Sequence, residues 1–131
     1  MKEYDGRVRL VFKDLPLQSH KLARPAHEAA RCAGSLGRYW PSHDRLFAAQ
    51  PAFERDDLVR YAVELGLPRD VFERCIDERR FAPAVEADVA QARALGIRST
   101  PTFIVNGRPL IGAHPVETFR RVIDDALRGA R

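Results

Sequence analysis

From Arg7 to Lys13 apolar and basic residues alternate, with Val8, Leu10 and Phe12 set against Arg7, Arg9 and Lys13. A period of two predicts a strand over 7–13, and Val11, apolar on the second face, makes it an interior one. The pattern then becomes helical. Ser19 is the candidate N-cap for a stripe of Leu22, Ala26, Ala29, Ala30 and Ala33 that ends near Gly37. Pro25 suits only its early turn. A second helix, from about Arg38 to Ala48, presents Trp40, His43 and Phe47. Leu58, Tyr61, Ala62 and Leu65 mark a third, stopped by Gly66. Phe72, Cys75 and Ile76 mark a fourth. Phe81, Val85, Val89, Ala92 and Leu95 mark a fifth, ended by Gly96.

Thr102 to Val105 is a short β-prone run, followed by Asn106-Gly107, a strong two-residue hairpin signal. "RPLIG" returns as the second strand, where Pro109 indicates an edge. His114-Pro115 opens a last helix with a stripe of Val116, Phe119, Ile123 and Leu127, and with Glu117 near its positive end. The predicted order is strand, five helices, hairpin and helix, without linker or repeat, so the chain reads as one domain over residues 1–131. Residues 1–5 read as a helix end or a loose terminus.

Composition narrows this picture a little. Hydrophobic residues make up 45% and charged residues 31% of the 131, as in a globular protein. No run approaches the ~18 apolar residues of a membrane span, so no membrane partner is expected. "MKEYDGRVRL" turns polar at once and is not a signal peptide. The net charge of +4 comes from 22 basic and 18 acidic residues, interleaved along the helices. The longest basic clusters are the pairs Arg79-Arg80 and Arg120-Arg121, which argues against nucleic-acid binding.

Candidate chemistry is sparse. Cys32 and Cys75 both lie on apolar helical stripes. They read as separate buried thiols, as a structural disulfide, or as a redox pair. Buried thiols are preferred because free cysteine packs as a small hydrophobe. The redox pair is disfavoured, since neither cysteine sits at an electropositive helix start. His20, His27, His43 and His114 have no metal-ligand spacing, and no metal or cofactor is implied. Ser42-His43-Asp44 is no triad, because consecutive helical side chains diverge by about 100°.

Two stretches carry a resemblance. "VRLVFKDLPLQSHKLARPAHEAARCAG" and "AVEADVAQARALGIRSTPTFIVNGRPLIGAHPVETFRRVID" resemble the DsbA-like branch of the thioredoxin superfamily, the thiol-disulfide oxidoreductases. "YWPSHDRLFA" and "YAVELGLPRDVFERCI" resemble that family's inserted helical subdomain. The resemblance implies an incomplete α/β thioredoxin-like fold. Its core strand would be 7–13, its helical insert about 19–95, and its hairpin and last helix about 101–129. It also implies an extracytoplasmic family setting, with no exporting segment in this chain.

The departure is the absence of Cys-x-x-C. In the family a first strand and a Cys-x-x-C helix precede the strand matching 7–13, a piece of roughly 25–35 residues. The chain is therefore expected to be truncated relative to the family and redox-inactive by itself, with no catalytic residue to assign. Thr100-Pro101 matches the family's Thr–cis-Pro. Locally a trans bond would be favoured, whereas the resemblance implies cis and makes Thr100, Pro101 and Thr102 the substrate-binding residues for an extended peptide. The family's missing strand would lie between 7–13 and 102–105, and open strand edges recruit partners. The expected partner is a second copy, as a homodimer or swapped oligomer. The alternative is a peptide-binding or self-associating module that uses the vacated slot.

Overall fold

The helical stripes become helices in the computed structural model, which describes residues 1–129. After a 3₁₀ turn at Lys2–Tyr4 come α1 (Ala23–Ser35), α2 (Tyr39–Ala49), α3 (Arg55–Glu64), α4 (Arg69–Asp77) and α5 (Ala82–Ala94). Strands β1 (Thr102–Val105) and β2 (Arg108–Ile111) and helix α6 (Val116–Gly129) complete the order. Two compact units result, residues 14–91 and residues 1–13 with 92–131.

The helical unit, 14–91, is built around α1. Its Ala26, Ala29, Ala30 and Ala33 are all buried. Small side chains let neighbouring helices approach closely, and α1 packs against α2, α3 and α4. Leu46, Leu58, Val59, Tyr61, Leu67 and Phe72 close the core around them. Gly34 leaves room for Tyr39, whose Cβ would stand only 3.2 Å from an added methyl. Ser19 does not cap α1. The helix starts later, after Leu22, with no side-chain cap. Pro25 then falls in the first turn, where no intrahelical partner is lost.

Cys32 on α1 and Cys75 on α4 form a disulfide, with sulfurs 2.10 Å apart and 43 residues between them in sequence. This corrects the preferred reading of separate thiols. Each cysteine does pack as a small hydrophobe on an apolar stripe, but α1 and α4 bring their Cα atoms to 6.0 Å, within bonding range. That proximity is a tertiary fact that no stripe encodes.

The second unit holds the hairpin and α6. Asn106 (φ 48°) and Gly107 (φ 85°) supply the two left-handed residues of a tight turn. The register is Thr102↔Ile111, Phe103↔Leu110, Ile104↔Pro109 and Val105↔Arg108. Phe103 packs edge-on against Phe119 of α6, with ring centroids 4.7 Å apart. Tyr4 is buried, its hydroxyl donating to Asp124 Oδ1 at 2.8 Å, and Glu3 pairs with Arg120.

The strand expected over 7–13 is absent. These residues are irregular apart from the turn at Arg7, and Leu10 and Val11 are exposed. Alternation prepares a segment for a sheet, but a strand forms only where a neighbour takes up its backbone groups. The sheet of the described residues contains β1 and β2 alone.

Cys32 and Cys75 are 0% and 2% exposed, so the bond should resist a mild reductant while the protein is folded. Replacing both by alanine should lower the unfolding free energy by about 4 kcal/mol, the chain-entropy value for a loop of this length. Urea melts of wild type and variant measure this directly.

Candidate functional site

Thr100 and Pro101 are exposed at the entry to β1, and Thr102 is half-buried as its first residue. Gly96 (φ 72°) ends α5 in the left-handed region, and Ile97 N–H closes the turn onto Ala92 C=O at 2.9 Å. The chain then reaches a cis Thr100–Pro101 bond. Thr102 Oγ1 donates to Ser99 C=O at 2.8 Å, which fixes the bend. His114 Nε2 lies 2.7 Å from Ile111 C=O and ties down the far end of β2.

One hydrogen bond sets the phase of the whole ladder. Gly112 N–H donates to Pro101 C=O at 2.8 Å. Bonded and non-bonded pairs alternate along antiparallel strands, so Pro101, Phe103 and Val105 turn their backbone groups toward β2. Thr102 and Ile104 turn theirs to the outer edge of β1. On β2 the same alternation points Pro109 outward, where it has no N–H to offer. One edge of the hairpin is therefore blunted by proline and the other is open. Among the described residues no hydrogen-bond partner meets the Thr100 amide or carbonyl.

The hairpin's two faces differ as well. Phe103 faces α6, with Val105 and Leu110 on the same side by register. Ile104 and Ile111 share the other face and are 50% and 64% exposed. The open edge thus borders an uncovered apolar surface.

A separate cluster of charge lies within the helical unit. Asp14 is 2% exposed. Its Oδ1 is 2.7 Å from His27 Nδ1 and its Oδ2 accepts from Arg31 Nε at 2.5 Å. Asp88 Oδ2 accepts from Arg31 at 2.7 Å and from the Asp14 backbone N–H at 2.9 Å. Burial pushes the Asp14 carboxyl up, but the hydrogen bonds from His27 and Arg31 outweigh it and hold it below the usual carboxylate range. Burial, then the Asp14 charge, push the Tyr39 hydroxyl up to about 12. Buried Glu28 is likewise paired, bidentately, with Arg79.

Sequence reasoning missed this cluster. His27 and Arg31 share a helix face at i, i+4 spacing, which was a visible signal. Asp14 and Asp88 come from distant segments and gave none. The Cys32–Cys75 bond lies in the same helical unit and the Thr100–Thr102 segment in the other. With both sulfurs buried and bonded, neither is presented as a nucleophile.

Asp14→Asn should cost about 3 kcal/mol at neutral pH, since it strips one partner from a buried ion pair. Because folding depresses the Asp14 pKa, its stabilisation is full above the unfolded value near ~3.9 and fades as pH falls through the folded one. Wild type and variant should therefore converge in stability in strong acid, as measured by denaturant melts across pH.

Known proteins place this geometry in a family. The thioredoxin family's sequence model matches residues 1–125. The Na(+)/H(+) antiporter NhaA 1 of Salinispora arenicola is 38% identical over 125 residues, covering 95% of this chain and 19% of that protein. The Na(+)/H(+) antiporter NhaA of Herminiimonas arsenicoxydans is 38% identical over 124 residues, covering 95% of this chain and 20% of that protein. That of Nitrosospira multiformis is 33% identical over 134 residues, covering 97% and 20%. The chain spans about a fifth of the length of these curated relatives. Six helices and a small two-stranded sheet among the described residues, with a family match along nearly the whole sequence, lead to one conclusion: the chain belongs to the thioredoxin family.

Proposed function

We propose that this chain is a DsbA-like thioredoxin-family domain that takes up extended strands at Thr100, Pro101 and Thr102 and does not itself exchange disulfides. The observation that carries the reading is the ladder phase set by the Pro101–Gly112 hydrogen bond, which leaves the Thr102 and Ile104 backbone groups facing outward. Strand addition uses such an edge, with main-chain hydrogen bonds supplying affinity. The redox half rests on the sequence, which has no Cys-x-x-C, and on the burial of both sulfurs in one bond. The same edge offers a route to self-association as a homodimer or swapped oligomer.

Amide exchange followed by NMR tests the edge. In dilute monomer Phe103 and Val105 should exchange slowly and Thr102 and Ile104 fast. Protection of all four alike would end the reading. Insulin reduction should show no turnover, and the double cysteine-to-alanine variant should behave the same.

A second reading concerns context. The relatives named as Na(+)/H(+) antiporters contain a segment like this chain within a protein about five times longer. On this reading the domain works alongside a sodium–proton exchanger, and its strand-docking edge engages a segment of that assembly. Excising the matching segment from the Salinispora arenicola protein should alter sodium-dependent proton exchange in everted vesicles. Grafting this chain in its place should restore it. Exchange unaffected by the excision would rule this reading out.

A further inference from the structure

The chain enters the helical unit at Asp14 and leaves it at Gln91. Asp14 is the unit's first residue and Asp88 lies one helical turn before its last, yet these two ends meet. The Asp14 backbone N–H donates to Asp88 Oδ2 at 2.9 Å, across a sequence separation of 74. Arg31 of α1 donates to both carboxylates, from Nε to Asp14 and from a terminal nitrogen to Asp88. His27, one turn earlier on α1, stands 2.7 Å from the other Asp14 oxygen. Nearer the surface, Arg24 pairs with Glu86 at 3.1 Å and fastens α5 to α1 a second time. All six residues belong to the helical unit.

Beside Arg31 on α1, Cys32 is bonded to Cys75 of α4. The two closures are nested, so the bond takes 43 of the 74 residues out of the loop that the Asp14–Asp88 contact closes. Loop-closure entropy grows with the length closed, and the bond therefore lowers the cost of bringing the two ends together. We infer that Arg31 closes a clamp at the neck of the helical unit, and that the clamp makes this unit open and close as one cooperative body, separately from the hairpin unit. An arginine suits the task because its planar fork serves two carboxylates at once. Without it the entry segment and α5 could leave α1 one at a time. With it neither end leaves unless buried charge loses its partner, which is strongly unfavourable. Contiguous units of this kind open with free energies of their own.

The test is native-state hydrogen exchange of the full chain, followed by NMR through a series of sub-denaturing urea concentrations. The Asp14 amide is the reporter, because its acceptor comes from the far end of the unit. It should exchange together with the amides of α1 and α4, with the same dependence on urea. All of these should exchange at least about tenfold more slowly than the Phe103 and Val105 amides of the hairpin. Arg31→Lys keeps the charge but loses the fork. It should speed Asp14, α1 and α4 together by about tenfold and leave Phe103 and Val105 unchanged. The Cys32→Ala/Cys75→Ala variant should speed the same set, Asp14 included, since it lengthens the loop that the clamp closes. Where either variant is unfolded by circular dichroism, the wild-type series decides by itself.

One common opening for the Asp14, helical and hairpin amides would overturn the inference, because the helical unit would then have no opening of its own. Fast exchange at Asp14 while α1 stays protected would overturn it too, because the neck would then open without the core. A folded Arg31→Lys protein that changes neither set of amides, or both alike, would remove Arg31 from the role.

Discussion

A backbone amide needs a partner, and among the described residues β1 has a strand on only one side. That asymmetry organises the hairpin unit. The Pro101–Gly112 bond fixes which residues spend their hydrogen bonds inward. Pro109 closes the far edge, so the unsatisfied groups collect on one line beside Thr102 and Ile104. Groups on such an edge are open to solvent and are the part of a sheet that natural proteins must manage.

The helical unit solves its own version of this problem internally. Its backbone groups pair within helices, its alanine face draws three neighbours close, and the Cys32–Cys75 bond ties α1 to α4. Its buried carboxylates all find donors: Asp14 and Asp88 through Arg31, and Glu28 through Arg79. In the hairpin unit Tyr4 and Ala92 are the buried hydrophobics among the described residues, and α6 buries none of its stripe fully. The helical unit closes a core of its own, whereas the hairpin unit leaves most of its apolar side chains half-buried or exposed among the described residues. Association covers such side chains wherever it removes apolar area from water.

Helix positions were legible because periodicity and stop signals are local. The five stripes, Gly96 and Asn106-Gly107 each describe a few neighbouring residues, and helices and a hairpin form at those places, although Leu95 falls past the end of α5 and Trp40 and Phe47 stay exposed. The failures were non-local. Ser19 looked like a cap, but the chain turns again before α1 begins. Residues 7–13 carry a strand's alternation, yet no strand forms there. Cys32 and Cys75 gave no sign of being partners, since a helical stripe says that a side chain is buried and not what it is buried against.

The sequence by itself determined the order of the helices and the hairpin, the proline-blunted edge, the lack of a Cys-x-x-C, and a likeness to the thioredoxin superfamily. All of these are written in short-range pattern or in residue identity. Tertiary structure alone decided the α1–α4 disulfide, the Asp14–Arg31–Asp88 cluster, the phase that turns Thr102 and Ile104 outward, and the missing strand at 7–13. Each of these depends on which distant groups meet, and pairing across the fold is set by packing and backbone satisfaction rather than by any local run of residues.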